Sequence, residues 1–130
     1  MLLNNIIYKI NPNLLFLVDS LGALLSAFLL SQLLARFENV FGMPKNELYQ
    51  LSIIASFFAL YSLTCYLSKL ENWKLYLKLI AIANLIYCII TIGMIIDQFY
   101  KITLLGLIYF ALEITIIFTL AIFEFKVALK

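Results

Sequence analysis

The chain has 130 residues, of which 65% are hydrophobic and 12% charged, and its formal net charge is +2. Soluble domains are about 45–50% apolar and about 25% charged, so this composition belongs in lipid rather than in water. The few scattered basic residues exclude a nucleic-acid surface, and the absence of histidine removes the commonest metal ligand and general base.

At the start of the chain, Leu3, Ile6, Ile7 and Ile10 recur at helical spacing opposite Asn4, Asn5 and Lys9. That pattern predicts a short interfacial helix on the membrane surface. Asn11-Pro12-Asn13 then breaks it, with Asn11 placed to cap the next helix and Pro12 suited to its first turn. A long apolar run follows at 14–35, too long for the apolar core of a cleaved signal peptide and without a small-residue exit site, so it is read as a retained span. Gly42 and Pro44 punctuate the next connection. A second span is predicted at 48–67, with Asn46 as its cap, a third at 76–96 and a fourth at 102–123.

About 20 helical residues, each rising about 1.5 Å, cross the roughly 30 Å of hydrocarbon. Backbone amides in lipid must be satisfied within the protein, which leaves helices or closed barrels. The Leu, Ile and Phe runs are continuous rather than alternating, so helices are expected. The expected fold is therefore all-α: an antiparallel up-down bundle of four transmembrane helices forming one domain, its connections too short for a soluble module. Tyr49, Trp73, Tyr76, Phe99 and Tyr100 fall near span ends, where amphipathic rings favour the headgroup layer. One side would carry Lys9, Lys69, Lys74, Lys78, Lys126 and Lys130, the other Arg36, Lys45 and Lys101. This excess of basic residues predicts that both termini are cytoplasmic.

Glu113 is the only charged residue in the run 102–123, and Asp19 lies inside 14–35. Acids at such depth are costly and point by default to function. Helix rise places Asp19 about 8 Å inside the cytoplasmic edge, Tyr61 and Ser62 at roughly 8–9 Å, Asn84 at about 8–13 Å, and Glu113 near the midplane at about 15 Å. Each span thus offers a polar group to one layer. Asp19, Gly22 and Ser26 share a face, and the small residues there predict close helix approach. Ser52, Ser56, Ala59 and Ser62 form a second inward stripe, Asn84, Tyr87, Cys88 and Thr91 a third, and Gly106, Tyr109 and Glu113 a fourth.

No Lys or Arg lies deep in a span to neutralise the acids. Desolvation favours the neutral carboxyl, and a second carboxylate nearby favours it further. At least one acid is therefore expected to be protonated at neutral pH and to donate a hydrogen bond, with Asn84, Tyr61 and Tyr87 as candidate partners. The binding or proton-exchange candidates are Asp19, Glu113, Asn84, Tyr61 and Tyr87. The alternative is structural, because an interhelical hydrogen bond also stabilises a bundle, by about 0.6 kcal/mol on average. Cys65 and Cys88 show no CxxC spacing and read as small apolar fillers. No catalytic set, metal site or cofactor is expected, and the chain is not read as an enzyme.

Four blocks, Asn11-Pro12-Asn13-Leu14-Leu15-Phe16-Leu17-Val18-Asp19, Phe41-Gly42-Met43-Pro44, Asn84-Leu85-Ile86-Tyr87-Cys88 and Tyr109-Phe110-Ala111-Leu112-Glu113, together resemble a family of uncharacterised small four-span bacterial integral membrane proteins. The resemblance covers nearly the whole chain and implies a bacterial inner (plasma) membrane, with no activity attached. Asp19-Ser20-Leu21-Gly22 also looks like the acid-x-x-Gly pattern in the first span of the small multidrug resistance transporters. The chain departs from them in its second acid, its longer connections and the lack of a tryptophan within a span, so the likeness is one of architecture. Two functions are carried forward. One is a small proton-linked transporter, in the bilayer as a homodimer or with a membrane-protein partner. The other is a structural or accessory subunit without transport or catalytic activity.

Overall fold

The computed structural model describes residues 12–68 and 71–129. The predicted surface helix near the N-terminus and the Asn11 cap lie outside them. Among the described residues there are helices and turns and no strand. Helix α1 spans Pro12–Phe28 and widens into a π-helical stretch, Leu29–Leu34. A single-turn helix α2, Glu38–Phe41, precedes α3 (Lys45–Ser68), α4 (Trp73–Asp97) and α5 (Leu104–Ala128). Four of these helices are long and apolar enough to cross a membrane. The prediction of four apolar helices holds, with longer elements than the apolar runs alone suggested.

Two helix boundaries differ in detail. Asn46 does not cap α3, which already begins at Lys45. The Lys45 backbone N–H donates instead to the Glu38 carboxylate at 2.6 Å, placing negative charge at the positive end of the helix. At the other end of the chain, α5 runs past 123 to Ala128 because Phe125, Val127 and Ala128 continue its apolar pattern.

The helices do not pack equally. The principal pairings are α1 with α3 and α4 with α5. Small residues explain the first, since Ser52, Ala55 and Ala59 on α3 are buried and allow close approach. The Ser52 hydroxyl donates to the Ala27 carbonyl at 3.0 Å, and Ser31 donates to the same oxygen at 2.7 Å. Ala27 sits at the junction where α1 widens, and such π-helical stretches occur mostly as local insertions in α-helices. Ser52→Ala is expected to cost only about 0.6 kcal/mol in a detergent unfolding titration, the average for one interhelical bond. A loss several times larger would mean that the hydroxyl also holds the π-helical geometry.

α1 and α5 are held together through other elements. Gly42 closes α2 in the left-handed conformation, with φ of 81°. A Cβ there would collide with the backbone of Lys101, Ile102 and Thr103. Thr103 ties this corner down, since its N–H donates to the Phe41 carbonyl at 3.2 Å and its hydroxyl to the Val40 carbonyl at 2.5 Å. The same hydroxyl accepts from Gly106 N–H at 3.1 Å, capping α5. Phe41-Gly42-Met43-Pro44 is therefore a docking corner as well as a turn.

Two apolar clusters flank the centre of the bundle. One contains Leu30, Leu34, Phe41, Met43, Leu48, Leu51 and Phe110. The other contains Leu15, Phe16, Cys65, Leu77, Ile80, Val127 and Ala128. Phe58 packs against both.

Candidate functional site

Between α1 and α5 lies a cavity of about 300 Å³. From α1 it is lined by Asp19, Gly22 and Ser26, and from α5 by Tyr109, Glu113 and Ile117. Phe58 closes it from α3, and Asn84 and Tyr87 from α4. Its lining residues Leu25, Leu112 and Ile116 are more than half exposed, so the cavity opens on the flank of the bundle.

Asp19 and Glu113, widely separated in sequence, thus face one shared cavity, and both are buried. Each carboxyl has one hydrogen-bonded oxygen and one without a partner. Tyr87 donates its hydroxyl to Glu113 Oε1 at 2.6 Å. Asn84 donates its amide N–H to Asp19 Oδ1 at 3.1 Å. Asp19 Oδ2 and Glu113 Oε2 are buried and unpartnered. Among the described residues, no cationic side chain acts on either carboxyl.

The sequence missed a third acid. Glu124 is fully buried on α5, and its Oε1 accepts from the same Asn84 amide at 3.1 Å. It lies 11 residues beyond Glu113, which is three helical turns and about 16 Å along one face. That spacing was the available signal. It went unused because the apolar run stops at Phe123, just short of Glu124, while the helix continues.

The polar groups form two tiers rather than one layer. Asn84 joins Asp19 to Glu124, and one turn along the same face of α4 Tyr87 holds Glu113. The α4 stripe of Asn84, Tyr87, Cys88 and Thr91 is wholly buried, as its spacing predicts. Helix α3 does not join the tiers. Tyr61, predicted as a partner of the acids, donates to the Tyr76 backbone carbonyl at 3.1 Å instead. Ser62 Oγ is buried and unpartnered, and Ser56 is exposed on the outer surface of the helices, its hydroxyl donating to the Ser52 carbonyl at 2.9 Å. Depth along the axis does not choose a partner for Tyr61 or Ser62, and the inward stripe expected on α3 holds at Ser52, Ala59 and Ser62 but not at Ser56.

Gly22 corrects a second expectation. It does not seat a neighbouring helix, because no other element comes within 4 Å of where its Cβ would stand. It borders the cavity, and the close approach on α1 occurs towards α3 instead. No group of three or more acids and cysteines among the described residues is arranged to hold a metal ion.

What the site offers is an apolar enclosure with carboxyl oxygens in its wall and aromatic rings beside them. Phe58 and Tyr87 stand with ring centroids 6.0 Å apart. Such surroundings suit a cation that carries its own apolar body, attracted by the carboxylates and by the ring faces. No protein-family profile, curated protein or solved structure matches this chain.

Proposed function

We propose that this is a four-span integral membrane protein, with helices running alternately up and down, that exchanges a proton for a cationic substrate in the cavity between α1 and α5. The observation that carries the reading is the shared cavity, with Asp19 and Glu113 both in its wall and an unpartnered buried oxygen on each. Buried acids of this kind mark ion and proton pathways in membrane proteins. The lateral mouth between α1 and α5 would face lipid, which favours substrates that partition into the bilayer. A bacterial inner membrane with cytoplasmic termini and a homodimeric association belong to the same proposal.

The exchange follows from charge. An ionised Glu113 attracts a cation, and a proton on the same group removes that attraction. Cation affinity therefore falls as pH falls, by up to about tenfold per pH unit where one proton is displaced per cation. Phenyltrimethylammonium, which is permanently charged, is the test probe, with tert-butylbenzene as its neutral counterpart. Calorimetric titration of the detergent-solubilised protein should show pH-dependent binding of the first alone. Glu113→Gln should weaken it by roughly ten- to a hundredfold, the equivalent of about 1.5–3 kcal/mol for a contact to a charged group. Gly22→Leu should fill the cavity and block binding while the fold remains intact. Unchanged affinity in both variants, with reduced stability in Glu113→Gln, would assign the acid to helix packing and the protein to an accessory role.

A further inference from the structure

We propose that Asp19 and Glu124 share a single proton, spaced by the Asn84 amide, and form a proton-binding site distinct from the cavity-facing carboxyl of Glu113. This deepens the exchange reading by adding a second proton-binding group beside Glu113, and its test requires no substrate, so either can fail alone.

The geometry begins at one nitrogen. Asn84 Nδ2 lies 3.1 Å from Asp19 Oδ1 and 3.1 Å from Glu124 Oε1. The two N–H bonds of an amide diverge by about 120°, so the accepting oxygens stand roughly 5–6 Å apart. The remaining oxygens, Asp19 Oδ2 and Glu124 Oε2, are both buried without a hydrogen-bond partner. Two ionised carboxylates offer each other only acceptors and repel across a poorly screened interior. One added proton supplies the missing donor, and a carboxyl–carboxylate hydrogen bond satisfies both unpartnered oxygens together. Carboxyl pairs that cannot both ionise hold a proton jointly in this way.

The surroundings leave this role to the pair. From α3, Tyr61 is engaged with the Tyr76 carbonyl, and Cys65 is a buried free thiol. From α4, Tyr87 is committed to Glu113, and Lys78 is half-buried two turns before Asn84. On α5, Lys126 is exposed. Glu113 lies three turns from Glu124 and has its own tyrosine donor. Asp19 lines the cavity whereas Glu124 does not, so Asp19 is the member of the pair through which a bound cation would sense the proton.

Infrared spectroscopy of the full-length protein in liposomes reads the proton directly. At neutral pH the spectrum should contain the carbonyl stretch of a protonated carboxyl that shifts in D₂O. Labelling the carboxyl carbon of aspartate with ¹³C should move this band, and so should labelling glutamate. D19N should abolish the response to the aspartate label and shift the glutamate-sensitive component, E124Q should shift the aspartate-sensitive component, and both label responses should persist in E113Q. The isotope arms need no substitution, so a variant that misfolds does not spoil the test. Absence of the band in the wild type would overturn the proposal, since both acids would then be ionised. A response to one label alone, or loss in E113Q, would overturn it too.

Discussion

Gly106→Ala is expected to destabilise the protein by about 3 kcal/mol, at the upper end of the range for forcing extra volume into a packed site. A Cβ at this position would collide with the Phe41 carbonyl oxygen and come within 3.0 Å of Ile102 Cγ1. The obstacle is backbone, which cannot rotate away as a side chain can. Phe41 is held by the αL turn at Gly42 and by the Thr103 N–H at 3.2 Å. Moving it would therefore undo the corner that docks α5 onto the rest of the bundle. The comparison variant is Gly22→Ala, which meets open space and is expected to change stability little. Thermal unfolding in detergent separates the two. Equal midpoints for both variants would show that the corner yields without loss.

Asn84→Leu is the second large effect, at about 3–5 kcal/mol. One amide donates to two buried carboxyls, and removing it strips Asp19 and Glu124 of the donor each has. Each unsatisfied buried polar group costs about 1–3 kcal/mol, and charged groups cost more. Against the roughly 5–15 kcal/mol that ordinarily separates folded from unfolded states, this is a large fraction. Removing the acids as well should recover most of the loss, because a wholly apolar core is often no less stable than a buried charged network. The triple variant Asn84→Leu, Asp19→Leu, Glu124→Met is accordingly expected to exceed the single variant in stability. A triple variant less stable than the single one would show that the acids hold the helices by contacts other than the amide. The triple variant should also lose any pH dependence that resides in the Asp19–Glu124 pair, while Glu113 and Tyr87 keep their bond.

Local pattern made much of this readable in advance. The spacing of Asn84, Tyr87, Cys88 and Thr91 determines one face of a helix, and all four are buried. Gly42 and Pro44 were legible as punctuation because a positive φ and a missing N–H are properties of single residues. Asp19 and Glu113 were legible as candidates because an acid in an apolar run is conspicuous without any knowledge of its neighbours. The misses share a different cause. Tyr61 was placed with the acids by depth, yet its rotation about the helix axis sends its hydroxyl to Tyr76. Gly22 was read as a seat for a helix, but α1 found its partner on another side. Glu124 was overlooked because the apolar run and the helix end at different residues.

The sequence by itself determined four long apolar helices, a chain with no histidine to catalyse or to bind metal, and two acids that needed an explanation. Those follow from composition and from the helical period, which act over a few residues. Only the tertiary structure decided that α1 pairs with α3 and α4 with α5, leaving a cavity that Asp19 and Glu113 both line. It alone brought Glu124 to Asn84, 40 residues apart in the chain. The physical reason is that helices which are apolar on every side carry little record of their partners. The choice is made by small-residue contacts such as Ser52 with Ala27 and by the backbone corner at Gly42, Thr103 and Gly106, which exist only once the chain has folded.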